Sequence, residues 1–148
     1  MTTVRQQLVG TWKMIDWRIF RGDELLDPPL GPVGACGGLL FYTDGGSMSA
    51  TLSALDRAPF VEDSLDGGTA PEKSRAYESI IHYCGTFDVD ETTNTVIHHV
   101  QFSTFPNFVG RELRRTCVFE ADTLKLDTPP MNFGGQPLAS YILWQRTK

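Results

Sequence analysis

Hydrophobic and polar residues alternate along most of this chain, in short runs cut by Gly, Pro, Asn and Asp. A period of two puts successive side chains on opposite faces of a strand. The pattern predicts strands at Gly10–Arg21, Gly37–Thr43, Ser47–Ser53, His82–Asp90, Thr95–Phe102, Arg111–Glu120, Thr123–Asp127 and Leu138–Gln145. Tight turns at Gly22-Asp23, Asp44-Gly45-Gly46, Glu91–Asn94 and Ala121-Asp122 separate several of them, and an Asp-Gly pair between β-prone runs is a strong hairpin signal. Loops are expected where prolines and glycines gather, at Pro28–Gly34 and at Pro129–Gly135.

Two segments leave this rhythm. Arg5–Val9 reads as a short helical turn, and Pro71 opens a helix over Glu72–Ile81 whose stripe is Ala76, Tyr77, Ile80 and Ile81. Before that helix, Ala54–Ala70 is polar and irregular, a lid or a surface loop. About eight antiparallel strands with one substantial helix predict an all-β barrel or sandwich, read as one domain over residues 1–148.

The alternation also names the side chains that share the apolar face. They are Trp12 and Met14; Met48, Ala50 and Leu52; Tyr83, Gly85, Phe87 and Val89; Val96, His98, Val100 and Phe102; Leu113, Arg115, Cys117 and Phe119; and Leu138, Ser140, Ile142 and Trp144. Among these walls Tyr83, His98 and Arg115 are the convergent polar groups, and Tyr42 could add a hydroxyl. An apolar pocket with a few placed polar groups is the usual form of a small-molecule site. Each has a structural alternative that the sequence leaves open. His98 is either a neutral core ring or a ligand contact and proton carrier. Arg115 either pairs with a buried carboxylate or anchors an anionic oxygen. His99 should face outward with Thr95, Ile97 and Gln101, although a bulge would exchange the two histidines.

Bulk properties remove several function classes. With a net charge of −5 and no basic cluster beyond Arg114-Arg115, nucleic acid is not an expected partner. No run approaches the ~18 apolar residues of a membrane span. The opening MTTVRQQLVGTW has no apolar signal-peptide core, so a cytoplasmic location is expected. Cys36, Cys84 and Cys117 lack CxxC spacing and read as reduced core residues. His82, His98 and His99 follow neither HxH nor HExxH spacing, so no metal is expected, and no nucleotide or nucleophile-elbow motif calls for a cofactor.

Six blocks together resemble the lipocalin-like domain family of small bacterial and fungal proteins. They are Leu8–Trp12, Leu40–Ala50, Asp56–Phe60, Gly85–Asp90, the histidine pair followed by Phe105–Gly110, and Leu126–Pro130 with a terminal Leu143-Trp144. The resemblance covers nearly the whole chain. It implies an up-and-down antiparallel β-barrel of about eight or more strands, with a helix at the barrel end and a central cavity. The resemblance implies less about activity, since only some related small barrels of natural-product pathways catalyse cyclisation or isomerisation.

The expected function is therefore binding of a small, largely apolar, oxygenated molecule, polyketide-like or terpenoid-like, in the lumen. One version converts it without a cofactor, with His98 moving a proton, Arg115 holding an oxyanion and Tyr83 beside them. The other is an intracellular carrier, and a packed barrel used as an interaction module is a third. Trp12, Met14, Met48, Phe87, Phe102, Phe105, Asn107 and Trp144 are the expected ligand contacts. The partner expected is a small hydrophobic molecule, with neither nucleic acid nor membrane, and monomer and homodimer both stay open.

Overall fold

The computed structural model describes residues 1–32 and 34–147. Nine strands run in chain order: β1 (Gly10–Arg21), β2 (Glu24–Leu26), β3 (Cys36–Tyr42), β4 (Ser47–Ala54), β5 (Ile80–Asp90), β6 (Thr95–Ser103), β7 (Glu112–Glu120), β8 (Thr123–Phe133) and β9 (Gln136–Arg146). Eight of them form one antiparallel sheet that closes on itself through β1 and β9, while β2 hangs on β1 as an extra strand. Of the barrel and the sandwich that the alternation left open, the barrel implied by the family resemblance is present, and closure leaves its eight strands without a free edge.

The two ends differ. Helix α1 (Val4–Leu8) plugs one end, burying Val4 and Leu8. Thr3 and Gln6 cap it reciprocally, and the Glu91 carboxylate accepts from the Val4 and Arg5 amides at 2.8 and 3.1 Å. Trp12 donates its indole N–H to Leu8, and the Arg146 guanidinium lies over the Trp12 ring while donating to the Val9 and Gln7 carbonyls. At the other end stand helix α2 (Ala70–Glu78), the irregular segment before it and a single 3-10 turn at Pro106–Phe108.

Three elements depart from the sequence expectations, and so does one side chain. Helix α2 stops at Glu78, and Ile80 and Ile81 belong to β5, so the apolar stripe read across them is split between helix and strand. Strand β8 runs on to Phe133, carrying Pro129 and Pro130 across a break in register between Thr128 and Met131. The ladder cannot use a proline nitrogen, which is why that stretch reads as a loop. Strand β2 is only three residues long and gives no periodic signal.

The largest correction concerns Phe102. Gly85 pairs with Val100 while Cys84 pairs with Phe102, so Gln101 is an extra residue in β6. This β-bulge reverses the alternation past Val100 and turns Phe102 outward, 70% exposed. Gly85 makes the bulge feasible, since a Cβ there would meet the His99 carbonyl oxygen at 1.9 Å. Among the described residues no helix is long and apolar enough to cross a membrane, and no group of three or more His, Cys, Asp or Glu could hold a metal ion.

Candidate functional site

A cavity of about 790 Å3 occupies the barrel interior and opens between α2, the 3-10 turn and the end of β8. That volume lies in the range of small-molecule sites. Its walls are mainly apolar, with Trp17, Leu40, Leu52, Leu113, Leu126 and Ile142 from the strands. Phe105 and Phe108, packed edge to face with centroids 5.0 Å apart, stand beside Asn107 at the mouth.

His98 lies on the inner face of β6, only 1% exposed, while His99 points outward and bonds the Asp88 carboxylate at 2.8 Å. The bulge falls after this pair and so leaves their faces as the alternation predicts. Both ring nitrogens of His98 are engaged. Nε2 lies 2.6 Å from the Tyr42 hydroxyl and Nδ1 lies 2.8 Å from the Tyr83 hydroxyl.

These contacts assign the tautomer. A neutral imidazole offers one donor and one acceptor nitrogen. Tyr42 is buried and has no other side-chain partner among the described residues, so its O–H donates to Nε2. The ring proton then sits on Nδ1 and is donated to the Tyr83 oxygen, freeing the Tyr83 O–H for the cavity that Tyr83 lines. The reverse arrangement would strand the Tyr42 proton in the core, at about 1–3 kcal/mol.

Electrostatics keep this cluster neutral. Burial, reinforced by the Arg115 guanidinium and by His99, holds the His98 pKa well below its ordinary value. Burial also raises Tyr42 well above the usual phenol range, with Tyr83 and Cys117 adding to it and Arg115 opposing. Tyr83 is raised by burial, against the pull of the adjacent Arg115. Burial in the same wall pushes the Cys117 thiol up to about 12, which makes it an inert core residue.

Arg115 projects inward from β7 between Leu113 and Cys117 and is 9% exposed. One guanidinium N–H donates to the Arg114 carbonyl at 2.9 Å. No carboxylate among the described residues pairs with it, so the buried ion pair that the sequence left open is not formed. Trp144 also lines the cavity at 2% exposure, and its indole N–H has no acceptor.

Of the residues singled out from the sequence, the fold gathers Tyr83, His98, Arg115, Phe105, Asn107 and Trp144 around one cavity. Trp12, Met14, Met48 and Phe87 share the inner face but do not line the cavity. Trp12 and Phe87 pack at the plugged end, where Arg5 and Arg146 stack on their rings. Alternation reports which face a side chain takes and is silent on its depth along the barrel axis. Phe102 is outside altogether. Ser140, on the inner face of β9, joins the lining, as do Met131, Asn132 and Phe133 of the extended β8. Ser140 was legible from its place between Leu138 and Ile142, whereas the β8 residues were hidden by the two prolines before them.

Comparison with known proteins agrees with this architecture. The chain is similar to the 4'-hydroxy-3'-methoxypropiophenone carrier protein ppsC of Aspergillus oryzae, at 30% identity over 86 residues, covering 53% of this chain and 78% of that protein. A sequence model of the lipocalin-like domain matches residues 9–147. The protein therefore belongs to the lipocalin-like domain family.

Proposed function

We propose that the protein is a non-catalytic carrier for a small, largely apolar, oxygenated aromatic molecule held in the barrel. The observation that carries this reading is the engagement of both His98 nitrogens by Tyr42 and Tyr83 inside a mainly apolar cavity. A general base needs a free nitrogen lone pair within reach of the substrate and a pKa near the working pH. His98 offers neither, and its ring instead orients Tyr83. The likeness to a carrier of an aryl ketone supports an oxygenated aromatic ligand, and the cavity has ample room for one.

Titration calorimetry with 4'-hydroxy-3'-methoxypropiophenone tests this directly. One molecule is expected per chain, with a Kd of about 1 μM to 100 μM, and the compound should be recovered unchanged after prolonged incubation. Recovery of a rearranged product would overturn the non-catalytic reading. Absence of saturable binding would overturn the ligand class.

A further inference from the structure

The cavity contains a charge that nothing in it balances. Glu78, Arg111, Glu112 and Arg114 also line it, but all four are exposed and their two carboxylates offset their two guanidiniums. Glu112 is bonded to Arg114 at 3.2 Å and lies 3.7 Å from His99, outside the lumen. Arg115 remains as the uncompensated cation on the inner wall. The titratable groups that face it are Tyr83 from β5, His98 from β6, Tyr42 from β3 and Cys117 from its own strand, and burial keeps every one of them neutral.

The buried polar side chains beside Arg115 include the hydroxyls of Tyr83 and Ser140, which can donate as well as accept. The guanidinium can only donate. The Tyr83 hydroxyl, already taking the His98 proton, has its own O–H left to give. Such a wall offers hydrogens and a positive charge to whatever oxygen reaches it, in surroundings where water screens weakly.

Resting on the carrier reading above, we infer that the cavity binds its aromatic ligand as the oxyanion, a phenolate whose charge is held by Arg115. A neutral phenol would leave the buried Arg115 charge without a counter-charge. A phenolate para to an acyl group spreads its charge toward the carbonyl, so its ionisation is within reach of a single cation. On binding, the phenol O–H proton passes to solvent, and the oxygen accepts from the guanidinium and the Tyr83 hydroxyl.

The test uses the full chain with two probes, 4'-hydroxy-3'-methoxypropiophenone and its non-ionisable ether 3',4'-dimethoxypropiophenone. Phenolate absorbs at longer wavelength than phenol, so a pH titration of the bound probe reads its ionisation directly. The expected result is ionisation at least about one pH unit lower when bound than free, and at least tenfold tighter binding of the phenol than of the ether above that pH. In Arg115→Met both the shift and the preference disappear, and near-ultraviolet dichroism checks that this variant keeps the native packing. Because the shift is read on the unaltered protein, a variant that fails to fold leaves the test intact. Equal binding of both probes with unshifted ionisation would overturn the oxyanion and leave the carrier reading standing. If neither probe binds, the ligand class of the carrier reading fails and the oxyanion with it.

Discussion

Replacing Tyr42 by Phe should destabilise the barrel more than replacing Tyr83 by Phe, although each removes one hydroxyl bonded to the same ring. Tyr42 donates to Nε2 of His98 at 2.6 Å in a place sealed from water, 2% exposed. Its loss leaves a buried acceptor unsatisfied, at about 1–3 kcal/mol. Tyr83 lines the cavity, and the Nδ1–H it would abandon can be met by water entering the mouth, so its loss should cost only about 0.5–1.5 kcal/mol. For a chain of this length each kcal/mol moves Tm by roughly 2–4 °C. Urea unfolding followed by the fluorescence of Trp12, Trp17 and Trp144 gives both values, with Tm as a check. The double change Tyr42→Phe with His98→Leu should be less destabilising than the sum of the two alone, because it removes donor and acceptor together. A Tyr83→Phe penalty equal to or larger than that of Tyr42→Phe would refute the tautomer, and with it the free Tyr83 proton.

Stability should also fall with acid in a manner traceable to His98. Its folded pKa lies well below the ordinary value of about 6.5, so the unfolded chain binds the extra proton. The contribution is therefore complete above about pH 6.5 and is lost below it, at up to ~1.4 kcal/mol per pH unit. Urea midpoints between pH 7 and pH 5 should slope less in His98→Leu than in the parent, and identical slopes would remove His98 as the cause. Gly85→Ala should cost at least about 2 kcal/mol, because its Cβ would run into the His99 carbonyl and the β5–β6 bulge has no room to yield. A thermal melt within a degree of the parent would show that the bulge can slip.

The legible parts of this protein are those governed by period two. Strand β1 is readable to both of its ends, and the inward faces of His98, Arg115 and Trp144 follow from their neighbours alone. What escaped is whatever alternation cannot encode. One extra residue, Gln101, exchanges the face of Phe102, and its only sequence trace is a glycine on the partner strand, Gly85. Depth along the barrel axis separates Trp12 from Trp144, two tryptophans with the same pattern around them, and it depends on α1 plugging one end. The partnership of Tyr42 and His98 joins residues far apart in the chain, so neither sequence neighbourhood announces it. The site follows the same division: an apolar lumen with Tyr83, His98 and Arg115 on its walls could be read, but the engagement of both His98 nitrogens needed the fold.

The closure between β1 and β9 has a consequence for how the chain reaches this state. Trp12 pairs with Arg146 and Lys13 with Gln145, so the seam joins the two ends of the sheet. The other barrel contacts span shorter stretches of chain, several as tight hairpins, with β2 intervening between β1 and β3 and α2 between β4 and β5. The seam must wait for the last strand and closes nearly the whole chain, at the largest loss of chain entropy. Until then the growing sheet carries two open edges and an uncovered apolar face, the state most exposed to association with other chains. Deleting β9 should thus give no smaller barrel, only an aggregating ribbon.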